Sequence, residues 1–126
     1  MNYKSFLSVL FLLGICTTTA VAQDTFFQDA DPQTEEKAKN LTQKYQSELV
    51  MTGDQTLLFQ KKLTEFMLRR QNIKAMDVTT EDKLFLLNEL AQQEANEMGT
   101  ILTRRQLRQY LRVQPELQPV QVIVKK

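Results

Sequence analysis

Apolar residues recur every three or four positions along most of the chain, and no proline interrupts residues 33–114. This spacing places the apolar side chains on one face of an α-helix, so the pattern predicts an all-α protein. Leu, Gln, Glu, Lys and Arg, which favour helices, are abundant in the same stretch. Because each apolar stripe needs another helix to cover it, we expect about four helices packed together.

Capping residues, glycine and proline set the expected ends of these helices. Glycine is common where a helix stops, so Gly99 predicts the end of the third helix. Proline cannot continue the backbone ladder, so the fourth helix should fade before Pro115. The expected helices run from Asp31 to Val50, from Thr52 into the mid-seventies, from about Thr80 to Gly99, and from Thr103 to before Pro115.

The first 22 residues have the three-part pattern of a secretory signal peptide: Lys4, an apolar run and a small-x-small end at Ala22. We expect export with cleavage after Ala22, because the apolar run is shorter than the about 20 residues that span a bilayer. Bulky Ile15 precedes Cys16 where lipoprotein signals need a small residue, so we expect no lipid anchor. Residues 23–31 have no apolar period and predict a flexible leader.

The C-terminal residues 114–126 differ from the helical region. They contain Pro115 and Pro119, followed by a β-prone run of valine and isoleucine. We expect an extended tail there, which either pairs with another strand edge or stays disordered. The helical domain is accordingly assigned to residues 32–113.

Composition excludes most catalytic classes. The chain has 16 basic and 15 acidic residues, no histidine and one cysteine. Cleavage would remove Lys4 and Cys16, which leaves a formally neutral chain without a thiol. Imidazole and thiolate chemistry is then impossible, and three scattered glycines cannot form a phosphate-binding loop. We therefore expect no enzyme activity, no cofactor, no metal site and no nucleic-acid partner.

Two expected helix starts share the pattern apolar-Thr-x-x-Gln. Each is a capping box, in which the Thr hydroxyl accepts from the backbone N–H at N3 while the Gln side chain reaches back to the cap. The second copy also has an apolar Leu107 at N4, whereas the first has Thr56 there. The motif residues are Met51, Thr52 and Gln55 in the first copy, and Leu102, Thr103 and Gln106 in the second.

With two copies of this motif, the exported helical chain resembles the L-T-x-x-Q family of periplasmic proteins, the Spy/CpxP type, over about residues 35–112. Met51 stands where that family usually has leucine. The resemblance implies an antiparallel, hairpin-like or cradle-shaped helical homodimer that holds unfolding proteins without ATP, as a chaperone or envelope-stress buffer. The alternative is a periplasmic regulatory module that docks on a membrane stress sensor.

Two groups of residues are candidates for contact with a partner. Three apolar residues lie off the main helix stripes, and they are either singly exposed or part of an adaptable surface with Met51, Met67 or Met76. Three arginines recur on one face of the fourth helix, which is either solvated or a docking site for acidic client segments or anionic lipid headgroups. The candidates are Leu57, Phe85, Leu86, Arg105, Arg108 and Arg112.

Two charged residues interrupt apolar stripes on the second and third helices. Arg70 lies near the centre of one stripe and Glu94 lies inside the other. They either pair across the helix interface, which would fix its register, or remain solvated at its edges.

Overall fold

The computed structural model describes residues 31–119, which form four α-helices and, within that range, no strand. Connections of two to four residues make consecutive helices antiparallel, so the all-α prediction is confirmed. No helix in this range is both long and apolar enough to cross a bilayer. The expected signal peptide, most of the leader and residues 120–126 lie outside the described residues. The helices are α1 (Pro32–Leu49), α2 (Gly53–Ala75), α3 (Thr80–Ile101) and α4 (Arg104–Leu117).

The four helices close into a ring. Helix α1 packs against α2 and α4, and α3 packs against the same two helices. The α1–α2 and α3–α4 turns meet at one end, which we call the clasp end (residues 49–58 and 100–108). The α2–α3 turn lies at the other end with the start of α1 and the end of α4. We call this the open end (residues 31–41, 67–91 and 111–119).

Three aromatic rings form the centre of the core. The ring centroids of Tyr45 and Phe59 lie 5.1 Å apart and those of Phe59 and Tyr110 lie 5.9 Å apart, both in edge-to-face geometry. All three rings are fully buried. Such pairs add about 0.5–1.5 kcal/mol beyond the burial of their area. The core therefore joins α1, α2 and α4 directly.

The predicted helix starts are confirmed by their caps. The Asp31 carboxylate accepts from the backbone N–H of Thr34 at 2.6 Å, and this hydrogen bond lowers the pKa of Asp31. The Thr79 hydroxyl accepts from the backbone N–H of Asp82 at 3.1 Å. These bonds satisfy N–H groups that have no partner inside the helix.

Two predicted helix ends are wrong. Helix α3 continues through Gly99 to Ile101, because the missing side chain of Gly99 admits Leu107 of α4; a Cβ there would lie 3.3 Å from Leu107 Cδ2. Helix α4 continues through Pro115 to Leu117, so residues 114–117 are helical rather than an extended tail. Pro115 lacks the N–H that would donate to the carbonyl four residues earlier, but the Gln118 backbone N–H still donates to the Gln114 carbonyl at 2.7 Å and closes the last turn.

Candidate functional site

Both capping boxes are present at the clasp end. The Thr52 hydroxyl accepts from the backbone N–H of Gln55 at 3.2 Å, and the Gln55 Oε1 accepts from the backbone N–H of Thr52 at 3.0 Å. The same reciprocal bonds join Thr103 and Gln106, at 3.3 Å and 2.9 Å. The two predicted capping boxes are confirmed.

Each motif glutamine also bonds across to the opposite junction. Gln55 Nε2 donates to Gln106 Oε1 at 2.9 Å and to the Ile101 carbonyl at 3.1 Å. Gln106 Nε2 donates to the carbonyls of Leu49 and Val50 at 3.4 Å and 3.3 Å. The side-chain amide of each motif glutamine thus caps its own helix and also bonds to backbone carbonyls of the opposite junction. We call this pair of interlocked turns the clasp.

The first junction holds its turn differently from the second. The backbone N–H of Met51 donates to Gln46 Oε1 at 3.2 Å, and Gln46 Nε2 donates to the Met51 carbonyl at 2.8 Å. Thr56, at N4, donates to Gln46 Oε1 at 3.1 Å. At the first junction, side-chain hydrogen bonds of Gln46 therefore support the turn, and we call them the polar buttress. At the second junction, buried Leu102 and half-buried Leu107 support the turn by apolar packing instead.

A charged triad lies inside the ring. The Glu94 carboxylate is fully buried, Arg70 Nη2 donates to its Oε2 in an ion pair, and Tyr110 Oη donates to its Oε1 at 3.1 Å. Burial lowers the pKa of Arg70 and raises the pKa of the Tyr110 phenol. The guanidinium nevertheless stays charged and the phenol neutral near neutral pH. Of the two alternatives for Arg70 and Glu94, the structure shows the pair, and it links α2 to α3.

Arg70 also lines a cleft of about 290 Å³ at the open end, to which all four helices contribute. We call this cleft the mouth. Gln118 at its edge accepts a hydrogen bond from Tyr45 Oη at 2.6 Å, which ties the end of α4 to α1. None of the residues that line the mouth is acidic. Its lining includes the cations Lys37, Arg70 and Lys74 and the apolar residues Leu41, Met67, Leu87 and Ala91.

The three apolar candidates do not form one surface. Leu57 is exposed at the clasp end, and Phe85 is exposed at the open end. Lys83 Nζ donates to the Lys74 carbonyl, so Phe85 lies level with the end of α2, roughly 20 Å along the bundle from Leu57. Leu86, which we expected to be exposed, is half-buried because α3 packs against both α2 and α4.

The three methionines that could have joined this surface also lie in different parts of the molecule. Met51 is buried beneath the clasp, and Met67 packs against the core while it lines the mouth. Met76, in the α2–α3 turn, is exposed. The possible methionine surface is therefore reduced to Met76 among these three.

The open end has an exposed apolar group, of which the sequence pattern identified Phe85 and Met76 but not Val78 or Leu84. Its members are 39% to 62% exposed, and they flank the α2–α3 turn. Apolar residues on both sides of a turn are the sequence signal that could have identified them. We call the group the tip patch; it consists of Met76, Val78, Leu84 and Phe85.

The three candidate arginines are exposed on α4. Arg105 and Arg108 lie at the clasp end, whereas Arg112 lies farther along and donates to Gln109 Oε1. No ion pair within residues 31–119 includes any of the three. The arginine face is therefore cationic and accessible, and its members Arg105 and Arg108 lie at the end opposite to the tip patch.

No family model matches the chain, and no match is found among curated proteins or solved structures. Within residues 31–119, no three or more His, Cys, Asp or Glu side chains are grouped so that they could hold a metal ion. The features open to a ligand in this part of the chain include the tip patch, the mouth, the arginine face and the exposed Leu57 and Leu58 at the clasp end.

Proposed function

We propose that this chain is an exported, non-enzymatic helical protein of the Spy/CpxP type, which holds unfolding proteins on its tip patch without ATP. The observation that carries the proposal is the exposure of four apolar side chains around one turn. Apolar groups collected on a small surface are characteristic of interaction sites, and Met76 and Phe85 supply adaptable and aromatic contacts.

The clasp, at the end opposite to the tip patch, supports this proposal because it holds the helices together without the patch. Its capping and cross-junction hydrogen bonds involve Gln55 and Gln106 and fix both short turns. The tip patch takes no part in these bonds. A client can therefore bind and leave the patch while the clasp keeps the helices in register.

The experiment that tests the proposal measures aggregation of an unrelated unfolding protein with and without the equimolar purified protein. We expect the parent to suppress aggregation and the Met76→Gln/Phe85→Gln variant to lose most of that protection. Leu57→Gln/Leu58→Gln is the matched control, because these two side chains are 71% and 54% exposed at the clasp end. A parent without protective activity would refute the chaperone proposal, and equal loss in both variants would refute the tip patch.

A regulatory module that docks on a membrane stress sensor is the second candidate. It is favoured by Arg105 and Arg108, which are exposed and take part in no ion pair within the described residues. Such cations attract an acidic partner over a distance that salt shortens. In this alternative, Arg105→Glu/Arg108→Glu changes the output of an envelope-stress reporter in cells, while protection of unfolding proteins stays unchanged.

The proposal also places the protein in the periplasm as a homodimer after removal of residues 1–22. Mass spectrometry of the exported protein should find Gln23 at its N-terminus, without lipid. Sedimentation equilibrium should give twice the mass of the processed chain. A retained Cys16 or a monomer at micromolar concentration would contradict the corresponding part.

A further inference from the structure

The mouth combines an apolar wall with a cationic rim. Half-buried Leu41 and Met67 and buried Leu87, from three different helices, line the cleft. Lys37 and Lys74 are exposed at its edge. Small-molecule sites between the helices of bundles have this composition, with apolar walls and a few polar groups that orient the ligand.

We propose that the mouth binds an amphipathic carboxylate, such as a fatty acid. Its carboxylate pairs with Lys37, Lys74 and the accessible side of Arg70, and its alkyl chain lies on the apolar wall. This inference is independent of client binding on the tip patch.

The charges around the mouth favour an anion. The nearest buried acid, Glu94, is already bound by Arg70 and Tyr110. Asp31, which Lys37 attracts, accepts from the Thr34 backbone at the α1 cap. Both carboxylates thus have other partners, and neither lines the mouth.

Besides its positive charge, Arg70 offers hydrogen-bond donors to a ligand in the mouth. Its guanidinium carries five N–H groups, and the ion pair with Glu94 engages Nη2. The side chain is 21% exposed, so part of it faces the cleft that it lines. A carboxylate in the cleft can accept from guanidinium N–H groups other than the one donated to Glu94.

The size of the mouth favours a slender ligand. Its volume of about 290 Å³ lies at the lower limit for small-molecule sites. A single alkyl chain fits such a cleft, whereas a folded peptide is too large. The cationic rim alone would suit inorganic phosphate, but the wall of Leu41, Met67 and Leu87 adds affinity only for a ligand with an apolar chain.

The first experiment titrates the purified protein with octanoate, octanol and octylammonium by calorimetry, below the concentrations at which they aggregate. The three probes share one chain length and differ in head-group charge. We expect octanoate to bind at least tenfold more tightly than octanol, and octylammonium to show no binding. Equal affinity for octanoate and octanol, or no binding of octanoate, would overturn the proposal.

The second experiment changes the rim and the wall separately. Lys37→Gln/Lys74→Gln should weaken octanoate about tenfold, and the charge-matched control Lys39→Gln/Lys44→Gln should not, because these exposed lysines lie outside the mouth. Ala91→Phe should fill the cleft and abolish binding. Unchanged octanoate affinity in Lys37→Gln/Lys74→Gln would overturn the proposal even if Ala91→Phe fails to fold.

Discussion

At the clasp end, two carboxamides satisfy the backbone of both turns while Leu49, Met51 and Leu102 are buried beneath them. At the open end the distribution is reversed, because the Arg70–Glu94 pair is inside the ring and the tip patch faces solvent. Both ends expose apolar side chains, Leu57 and Leu58 at the clasp end among them, but the turns of the clasp are closed by hydrogen bonds, whereas towards the open end a charged pair replaces apolar packing inside the ring. Such departures from apolar packing concentrate at functional sites, so we expect stability at the clasp and binding at the open end.

The largest stability effect should come from breaking the buried triad. Glu94→Leu leaves Arg70 without its anion and Tyr110 without its acceptor, which should lower the free energy of unfolding by about 3 kcal/mol. Chemical denaturation measures this loss. Adding Arg70→Leu should recover part of it, because a buried charge without a partner costs more than two apolar side chains.

An exposed pair provides the control for that experiment. Lys62 and Glu97 join α2 to α3 at 2.6 Å, but both side chains remain accessible. Glu97→Gln should therefore lower the free energy of unfolding by less than about 1 kcal/mol. Losses of similar size for Glu94→Leu and Glu97→Gln would mean that the triad is hydrated in solution.

The clasp should give the next largest effect. Gln106→Ala removes the bond to the Thr103 cap and those to the first junction, which should cost about 2 kcal/mol in the free energy of unfolding. Gln55→Ala should cost a similar amount. In the double variant the losses should fall short of additivity by about 1 kcal/mol, because the two side chains bond each other. Additive losses would show that the two capping boxes act independently.

Local sequence predicted where helices begin more reliably than where they end. The caps at Asp31, Thr52 and Thr103 depend on residues within three positions, so the pattern identifies them. The ends near Gly99 and Pro115 depend on other features of the fold. Leu107 from α4 occupies the space beside Gly99, and beyond Pro115 the Gln118 side chain accepts from Tyr45 of α1, which holds the end of α4.

The candidate site was predicted only in part for the same reason. Arg70 and Glu94 stand on stripes that must face another helix, so periodicity makes their pairing one of two alternatives, and the packing of α2 on α3 decides for it. The third member, Tyr110, comes from α4, and its approach depends on the closure of the ring. Leu86 is half-buried because α3 has two neighbours. A helix with two neighbours buries a wider face than one apolar stripe.

Within the clasp, the two capping threonines should differ. Thr103→Ala should lower the free energy of unfolding by about 1 kcal/mol through loss of the cap. Thr52→Ala should cost less, because the junction lacks an apolar staple and the bonds from Gln46 to Met51 remain. Thermal unfolding of both variants measures the difference. Equal or reversed losses would mean that the polar buttress depends on the Thr52 hydroxyl.

A smaller effect, of opposite sign, is expected at Val50. This residue caps α1 with φ 51° and ψ 61°, a left-handed conformation that is unfavourable for a β-branched side chain. Val50→Gly should raise the free energy of unfolding by about 0.5 kcal/mol, the strain relieved less the extra entropy of glycine. Ile101→Gly, at the matching position of the second junction, should be destabilising because Ile101 is helical.

The smallest stability effect should accompany substitution of the tip patch. Met76→Gln/Phe85→Gln alters two exposed side chains, so the free energy of unfolding should change by less than about 0.5 kcal/mol. Leu87→Gln in the same region should cost several times more, because Leu87 is buried. Denaturation at two protein concentrations distinguishes a loss of stability within one chain from the loss of contacts between two chains. A loss above about 1 kcal/mol that grows with concentration would mean that a second copy covers the patch, which would then be a dimer interface rather than a client surface.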